Sequence, residues 1–318
     1  MLNLISKKRV HSDGRHNAFT DIIFFKGKYY LAFRNGSHHN SADGKVMIMT
    51  SEDGENWRKP TLLPILEMDM RDSKLLVYQE KLWYLFPVAW VAEGKAKRSM
   101  FSAVCVSDDG ENWSNPWPIS VEGSVVWRPK LYKGRIYVTF MTKGGQQVDL
   151  MASDDGFFWK EISVIYEGQD ANETDLHFFE DGKLMAVIRR EEQNSIIAFS
   201  QPPHLQWRYD EMDIQLHCPC LGKVGERLLL AGRDYTRCNP IYDSWKYWTQ
   251  DRVIVLEWDG EKFCNPLELD FRDGGDSGYP GIQPDPNKEG EALVSYYKGV
   301  GEKVGYQADI YVARIGVQ

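Results

Sequence analysis

Apolar residues in this chain come in short runs separated by brief polar breaks, and no long segment carries them at helical spacing. Six stretches share one form: an apolar run, a break rich in Gly, Lys, Asp or Glu, and a second apolar run. They are IIFFKGKYYLAFR (22–34), LLVYQEKLWYLF (75–86), PKLYKGRIYVTF (129–140), LHFFEDGKLMAVIRR (176–190), LGKVGERLLLAGR (221–233) and IQPDPNKEGEALVSYY (282–297). Strand-length runs joined by tight-turn residues predict six β-hairpins.

A second pattern lies between the hairpins. Ser-x-Asp-Gly-x-x-Trp occurs as SEDGENW at 51–57, SDDGENW at 107–113 and SDDGFFW at 153–159, each after a strand-like run. Asp and Gly tolerate positive φ, and the Ser and Asp side chains can bond the turn's own backbone. Worn relatives stand at SQPPHLQW (200–207) and EWDGEKF (257–263). A turn repeated about every 50 residues predicts an all-β, six-bladed β-propeller with four-stranded antiparallel blades, a single domain over residues 1–318. A pair of β-sandwiches fits less well, because sandwiches do not repeat one turn in register.

Blade geometry then sorts the polar residues. Innermost-strand starts, second-strand ends and the loops that follow them share one face. The Ser-x-Asp-Gly turns join third and fourth strands on the other face, so Asp53, Asp109 and Asp155 are expected to be structural. The first face collects Arg15, His16, Asn17, Asp21, Arg34, His38, His39 and Asp43 from the first blade. Asp69, Arg71 and Asp72 follow from the second, and Trp127 and Arg128 from the third. Asn172, Glu173, Asp175, Arg189 and Arg190 come from the fourth, His217, Arg233 and Asp234 from the fifth, and Asp273, Asp276 and Tyr279 from the sixth. Charges converging near an axis are costly unless they pair or serve a ligand. Arginines mixed with carboxylates and flanked by Trp and Tyr favour a site for an anionic or polyhydroxylated ligand. The stretch 234–252, with Tyr235, Tyr242, Trp245, Tyr247 and Trp248, is expected to overhang that mouth and stack on a sugar.

Composition narrows the partners. The net charge is −8 with a pI near 5.5, which argues against nucleic acid. No apolar run is long enough to span a membrane as a helix. MLNLISKKRV lacks the apolar centre and cleavage site of a signal peptide, so a cytoplasmic location is expected, or a mature form whose leader has been removed. Five cysteines without framework spacing fit a reducing compartment. LHCPC (216–220) brings His217, Cys218 and Cys220 together, but Cys-x-Cys at a strand start reads first as packing, and no metal or cofactor is expected.

The Ser-x-Asp-Gly-x-x-Trp turns resemble the Asp-box (BNR) repeats of sialidases and their relatives, which are six-bladed propeller glycosidases. NETDLHFFEDGKLMAVIR (172–189) resembles the sialidase stretch in which Asn-Glu opens one strand and Arg closes the next. DSGYPGIQPDPNKEGEALVSYY (276–297) resembles the last-blade stretch carrying the sialidase nucleophilic tyrosine. The resemblance implies Tyr279 as nucleophile, Glu173 as the carboxylate that activates it, Arg189 and Arg233 as ligands of a substrate carboxylate, and Asp43 as acid/base. A phenol attacks only when a neighbour takes its proton, and a neutral attacker avoids repulsion at an anomeric centre bearing an anionic group. The family's first-strand Arg-Ile-Pro is absent; RHNAFTD stands there, with Arg15 at its head. Arg71, Arg128, Arg15, Arg34, Asp276 and Trp127 complete the expected binding set, and Asp21 and Asp72 are further catalytic candidates. The expectation is an exo-acting glycoside hydrolase on a sugar, for which an acidic group would suit the arginines. A polysaccharide lyase on a uronic-acid glycan and a non-catalytic carbohydrate-binding propeller stay open.

Overall fold

The computed structural model describes residues 1–63, 68–91, 98–168, 170–235, 250–273, 276–301 and 303–317. Among them there is no helix; the elements are strands and turns in a propeller arrangement. All six expected hairpins form. Their strand pairs are His16–Phe25 with Lys28–Gly36, Lys74–Tyr78 with Lys81–Val91, Lys130–Tyr132 with Arg135–Thr142, Ala171–Phe178 with Leu184–Arg190, Leu216–Val224 with Arg227–Asp234, and Ser277–Pro284 with Glu291–Gly299.

The sheets do not separate into the six expected blades. Four stand alone, built from residues 69–118, 125–167, 171–211 and 216–273. The first and last strand groups instead form one eight-stranded sheet. The physical reason is a parallel pairing of His16 with Ala308, which carries hydrogen bonding across the seam. The N-terminal strand Leu2–His11 also pairs with Ala308–Val317, so the chain's two ends are tied in one ladder.

The Ser-x-Asp-Gly turns are local hydrogen-bonding units. In the first, Gly54 N–H donates to Ser51 Oγ at 2.9 Å, while Glu55 and Asn56 N–H donate to Asp53 Oδ1 at 2.8 and 2.7 Å. Asp109 and Asp155 repeat the pattern. The glycine is needed twice over. Its φ is 75–80° in all three copies, and an added Cβ would collide with a neighbouring strand group: Leu293 at Gly54, Tyr30 at Gly110 and Trp83 at Gly156. Each turn therefore packs on the preceding strand group, and the first copy packs on the last group. Ser51 pairs with Tyr29 at the start of Lys28–Gly36, whereas Arg34 lies at its end. That separates the turns from the opposite rim by roughly 16 Å at about 3.3 Å per residue.

The innermost strands are irregular at one common height. Register shifts fall between Ala18 and Asp21, Ala171 and Thr174, His217 and Cys220, and Gly278 and Gly281. Phe19, Cys218 and Tyr279 there have φ of 60°, 48° and 49°, and Asp72, in the break between Asp69–Met70 and Lys74–Tyr78, has φ of 40°. Bulges of this kind re-aim side chains, and non-glycine residues hold positive φ only where their surroundings impose it.

Candidate functional site

The re-aimed side chains meet near the axis. Phe19 packs edge-on against Tyr279 with ring centroids 4.7 Å apart, Trp127 meets Tyr279 at 5.8 Å, and the Arg71 guanidinium lies 4.7 Å from the Phe19 ring. Beside them opens a cavity of about 250 Å³. Arg71, Asp72, Asn40, Asn172 and Glu173 make its polar wall, and Met100, Val125, Trp127 and Met141 its apolar wall, with Thr139 and Thr174 between.

At the centre is a three-residue constellation. The Tyr279 hydroxyl donates to Glu173 Oε1 at 2.5 Å, and Arg189 Nη1 donates to Glu173 Oε2 at 2.6 Å. The backbone N–H of Cys218 donates to the same Oε2 at 3.0 Å, and Arg189 Nη2 reaches Glu191 at 2.9 Å. Burial acts to raise the Glu173 carboxyl, but the Arg189 charge and the Tyr279 hydroxyl overcome it and hold the group below its ordinary value. Burial, together with the Glu173 and Asp72 charges, pushes the Tyr279 phenol well above its usual range. The pair is thus a neutral phenol bonded to an ionised carboxylate.

Asp72 is different. It forms part of the cavity wall, its Oδ1 is buried with no hydrogen-bond partner among the described residues, and Arg71 approaches its other oxygen at 3.7 Å. Burial dominates, the Arg71 and Lys74 charges oppose, the Glu173 charge adds, and its carboxyl is raised. Two carboxyls in one cavity are therefore pushed in opposite directions, the pattern that separates an acid from a base.

The other expected residues are dispersed. Asp21 is spent below the mouth, accepting from Arg128 Nη1 at 2.6 Å and from the Leu75 N–H at 2.8 Å; Arg128 also donates to the Pro280 carbonyl. Arg34 is fully buried, on Asp69 at 2.5 Å and on Ser41, because its strand end is covered by the loop that follows. Arg15 and Asp43 pair with each other at 2.7 Å on the exposed rim, outside the cavity wall. Hydrogen bonds from Ser37, Ser41 and Arg15 overcome slight burial and hold Asp43 well below the carboxylate range. Asp276 is fully buried, accepting from His16 at 2.6 Å, His39 at 3.1 Å and the Tyr297 hydroxyl at 2.5 Å. Arg233 donates to the Ser277 carbonyl at 2.8 Å and lies over the Tyr235 and Tyr279 rings. The loop aromatics Tyr242, Trp245, Tyr247 and Trp248 lie outside the described residues.

His16, His39 and Asp276 place their ligand-type atoms within 4.8 Å of one another. The 2.6 Å His16–Asp276 separation is a hydrogen-bond spacing, whereas two ligands bonded to one tetrahedral zinc at about 2.0–2.1 Å stand roughly 3.3 Å apart. Cys218 and Cys220 are buried free thiols.

Of the apolar wall, sequence reasoning named Trp127 and passed over Met100, Val125 and Met141. Met141 lies near the end of a second strand, the position class that gave Arg189 and Arg233, so the topology rule reaches it; a search for charge does not. Nothing in the sequence announced Lys74, a buried ammonium 3.9 Å from the Trp127 ring centroid that burial pulls down to about 8.

No family model matches the chain, and no curated protein matches it. Solved structures do. An intramolecular trans-sialidase from Ruminococcus gnavus, in complex with oseltamivir carboxylate, superposes with a TM-score of 0.68 at 13% identity, over 98% of this chain and 96% of that one. Trypanosoma rangeli sialidase in complex with the inhibitor DANA gives 0.65 at 12%, over 98% of this chain, which spans 58% of that longer one. The NanB sialidase from Streptococcus pneumoniae gives 0.65 at 12%, over 96% of this chain and 70% of that one. The fold of this chain is that of a sialidase-like β-propeller.

Proposed function

We propose that the protein is an exo-acting, sialidase-like glycoside hydrolase that removes a terminal acidic sugar. The observation that carries this reading is the 2.5 Å hydrogen bond from Tyr279 to a Glu173 held ionised by Arg189. In the first step the Tyr279 oxygen attacks the anomeric carbon while its proton passes to Glu173. Asp72, raised and unpartnered at Oδ1, gives its proton to the departing glycosidic oxygen. In the second step Asp72 takes a proton from water, the water cleaves the tyrosyl-sugar bond, and Glu173 returns its proton to Tyr279; the anomeric configuration is retained. Asp72 takes the acid/base role in preference to Asp43, because Asp43 is exposed, paired with Arg15 and held low, whereas Asp72 lines the cavity and its carboxyl is raised. Arg71, on the cavity wall, is the guanidinium for the substrate's acidic group, with Arg233 and Arg189, the latter paired with Glu173 and Glu191, as further cations near Tyr279 and Glu173. A cavity of about 250 Å³ suits one sugar ring rather than a chain passing through.

In the same reading the strand sets on either side of the His16–Ala308 pairing count as two blades, making six in one domain, and the Ser-x-Asp-Gly-x-x-Trp turns are their Asp boxes. A lyase would take Tyr279 or His39 as its base; His39 is turned onto Asp276, and burial, opposed by the Asp276 charge, pulls it down to about 4, while Tyr279 is shared with the hydrolase reading, so the products separate the two. The test is release of nitrophenol from α-linked acidic nitrophenyl glycosides, with absorbance of unsaturated products followed in parallel. Release that disappears in Tyr279→Phe supports the reading. Release that survives in Tyr279→Phe, or an unsaturated product, overturns it.

A further inference from the structure

Tyr279 holds its φ of 49° in a strand, where such a backbone persists only under external constraint. The constraint is visible at both of its main-chain polar groups. The Tyr279 N–H donates to the Cys218 thiol sulfur at 3.1 Å, and the Tyr279 carbonyl accepts from the Thr20 hydroxyl at 2.7 Å. Cys218 and Thr20 are fully buried and come from the innermost strands on either side of Ser277–Pro284. Cys218 is also the residue whose backbone N–H holds Glu173 Oε2 at 3.0 Å. One residue thus touches both members of the catalytic pair, the carboxylate through its main chain and the tyrosine through its sulfur.

We infer that Cys218 and Thr20 are positioning residues that clamp the Tyr279 backbone in its left-handed conformation and so aim the phenol at Glu173. The inference rests on the proposed roles of Tyr279 and Glu173. Successive strand side chains point to opposite faces, so relaxing residue 279 into the ordinary strand region would swing its ring away from Phe19 and Trp127 and off Glu173. A cysteine suits the position chemically. Burial pushes its thiol up to about 11, so it is a neutral acceptor that does not compete with Glu173 for the phenolic proton. Gly278 fits the same device: a Cβ there would come within 3.1 Å of the Cys218 sulfur and 3.0 Å of Arg233 Cβ.

The experiment compares Cys218→Ala, Cys218→Ser and Thr20→Val with the parent protein, after thermal melting shows which variants are folded. The expected result in Cys218→Ala and Thr20→Val is a kcat lower by roughly three- to tenfold, the effect of one lost neutral hydrogen bond, with KM within about twofold. Cys218→Ser, which keeps an acceptor, recovers part of kcat. Crystal structures of the folded variants supply a readout independent of turnover: the Tyr279–Glu173 separation should open beyond hydrogen-bond reach, about 3.2 Å, in Cys218→Ala and close again in Cys218→Ser. Folded Cys218→Ala and Thr20→Val variants that keep the separation and the parental kcat overturn the clamp. Full activity in Tyr279→Phe overturns the proposed hydrolase roles instead, and the structures still decide whether the clamp aims the ring.

Discussion

The two ends of the molecule use the same side chain in opposite ways. At the turns, Asp53, Asp109 and Asp155 are exposed, and each is satisfied by N–H groups two and three residues further along. Those bonds, led by the Asn56 N–H at Asp53, hold the carboxylates below their ordinary value. At the mouth, Asp72 and Glu173 are buried, and Glu173 meets groups as far as 106 residues away. A carboxylate that closes its own turn has no affinity left for chemistry. A buried carboxylate can be tuned up or down: burial raises Asp72 against the charges of its chain neighbours Arg71 and Lys74, while Arg189 and the distant Tyr279 hold Glu173 down against burial.

The sharpest way to break this contrast is Tyr279→Phe. Removing one oxygen should lower kcat on the true substrate by about 10²–10⁴-fold while the melting temperature changes little. Initial rates and calorimetry on the same preparation decide it. If activity persists, the mouth is no more chemical than the turns.

Arg189→Met comes next. It leaves the Glu173 charge buried without its main partner, which should destabilise the fold by about 3–5 kcal/mol in chemical denaturation. The sign of the accompanying pH effect is fixed. Glu173 must be ionised to act and sits below its ordinary value, so the parental activity falls only as pH drops through that lowered value. Without the guanidinium that value rises, and the acid limb of kcat/KM moves to higher pH.

Asp72 controls the other limb. Its raised carboxyl must be protonated to donate, so activity should fall as pH rises through that raised value. Asp72→Asn should remove the alkaline limb and slow substrates with poor leaving groups more than those with good ones. An unchanged profile in Asp72→Asn would return the acid/base role to another group.

The turns should show the smallest effects, and these should be purely structural. Gly110→Ala places a Cβ against Tyr30 at φ 80° and should cost about 1–3 kcal/mol with kcat unchanged. Asp109→Ala should lower the melting temperature less, again without touching turnover. A large loss of kcat at constant stability in either variant would sink the structural reading of the turns.

The hairpins, the repeated turns and the polar face were legible in the sequence because each rests on neighbours in the chain. Strand pairs such as Ala171–Phe178 with Leu184–Arg190 need only a turn and two apolar runs, and the Ser-Asp turn is complete within its own residues. Tyr279, Glu173 and Arg189 were legible through resemblance and strand position, and the fold brings them together. Which of the remaining charges face the cavity was not. Arg34 and Arg189 both end second strands, yet Asp69 and Ser41 enclose the first and the cavity wall receives the partner of the second. Asp21 and Asp72 read alike in sequence, but Arg128 claims one and leaves an oxygen of the other unpartnered among the described residues. By itself, then, the sequence determined the local units: hairpins, turns and the end of each strand where polar groups collect. Only the tertiary structure decided the joining of the first and last strand groups, the pairing of each charge and the protonation bias of each carboxyl. The reason is range. The decisive contacts, His16 with Asp276, Asp21 with Arg128 and Tyr279 with Glu173, link residues 260, 107 and 106 positions apart, and the burial that sets their electrostatics exists only once the ring has closed.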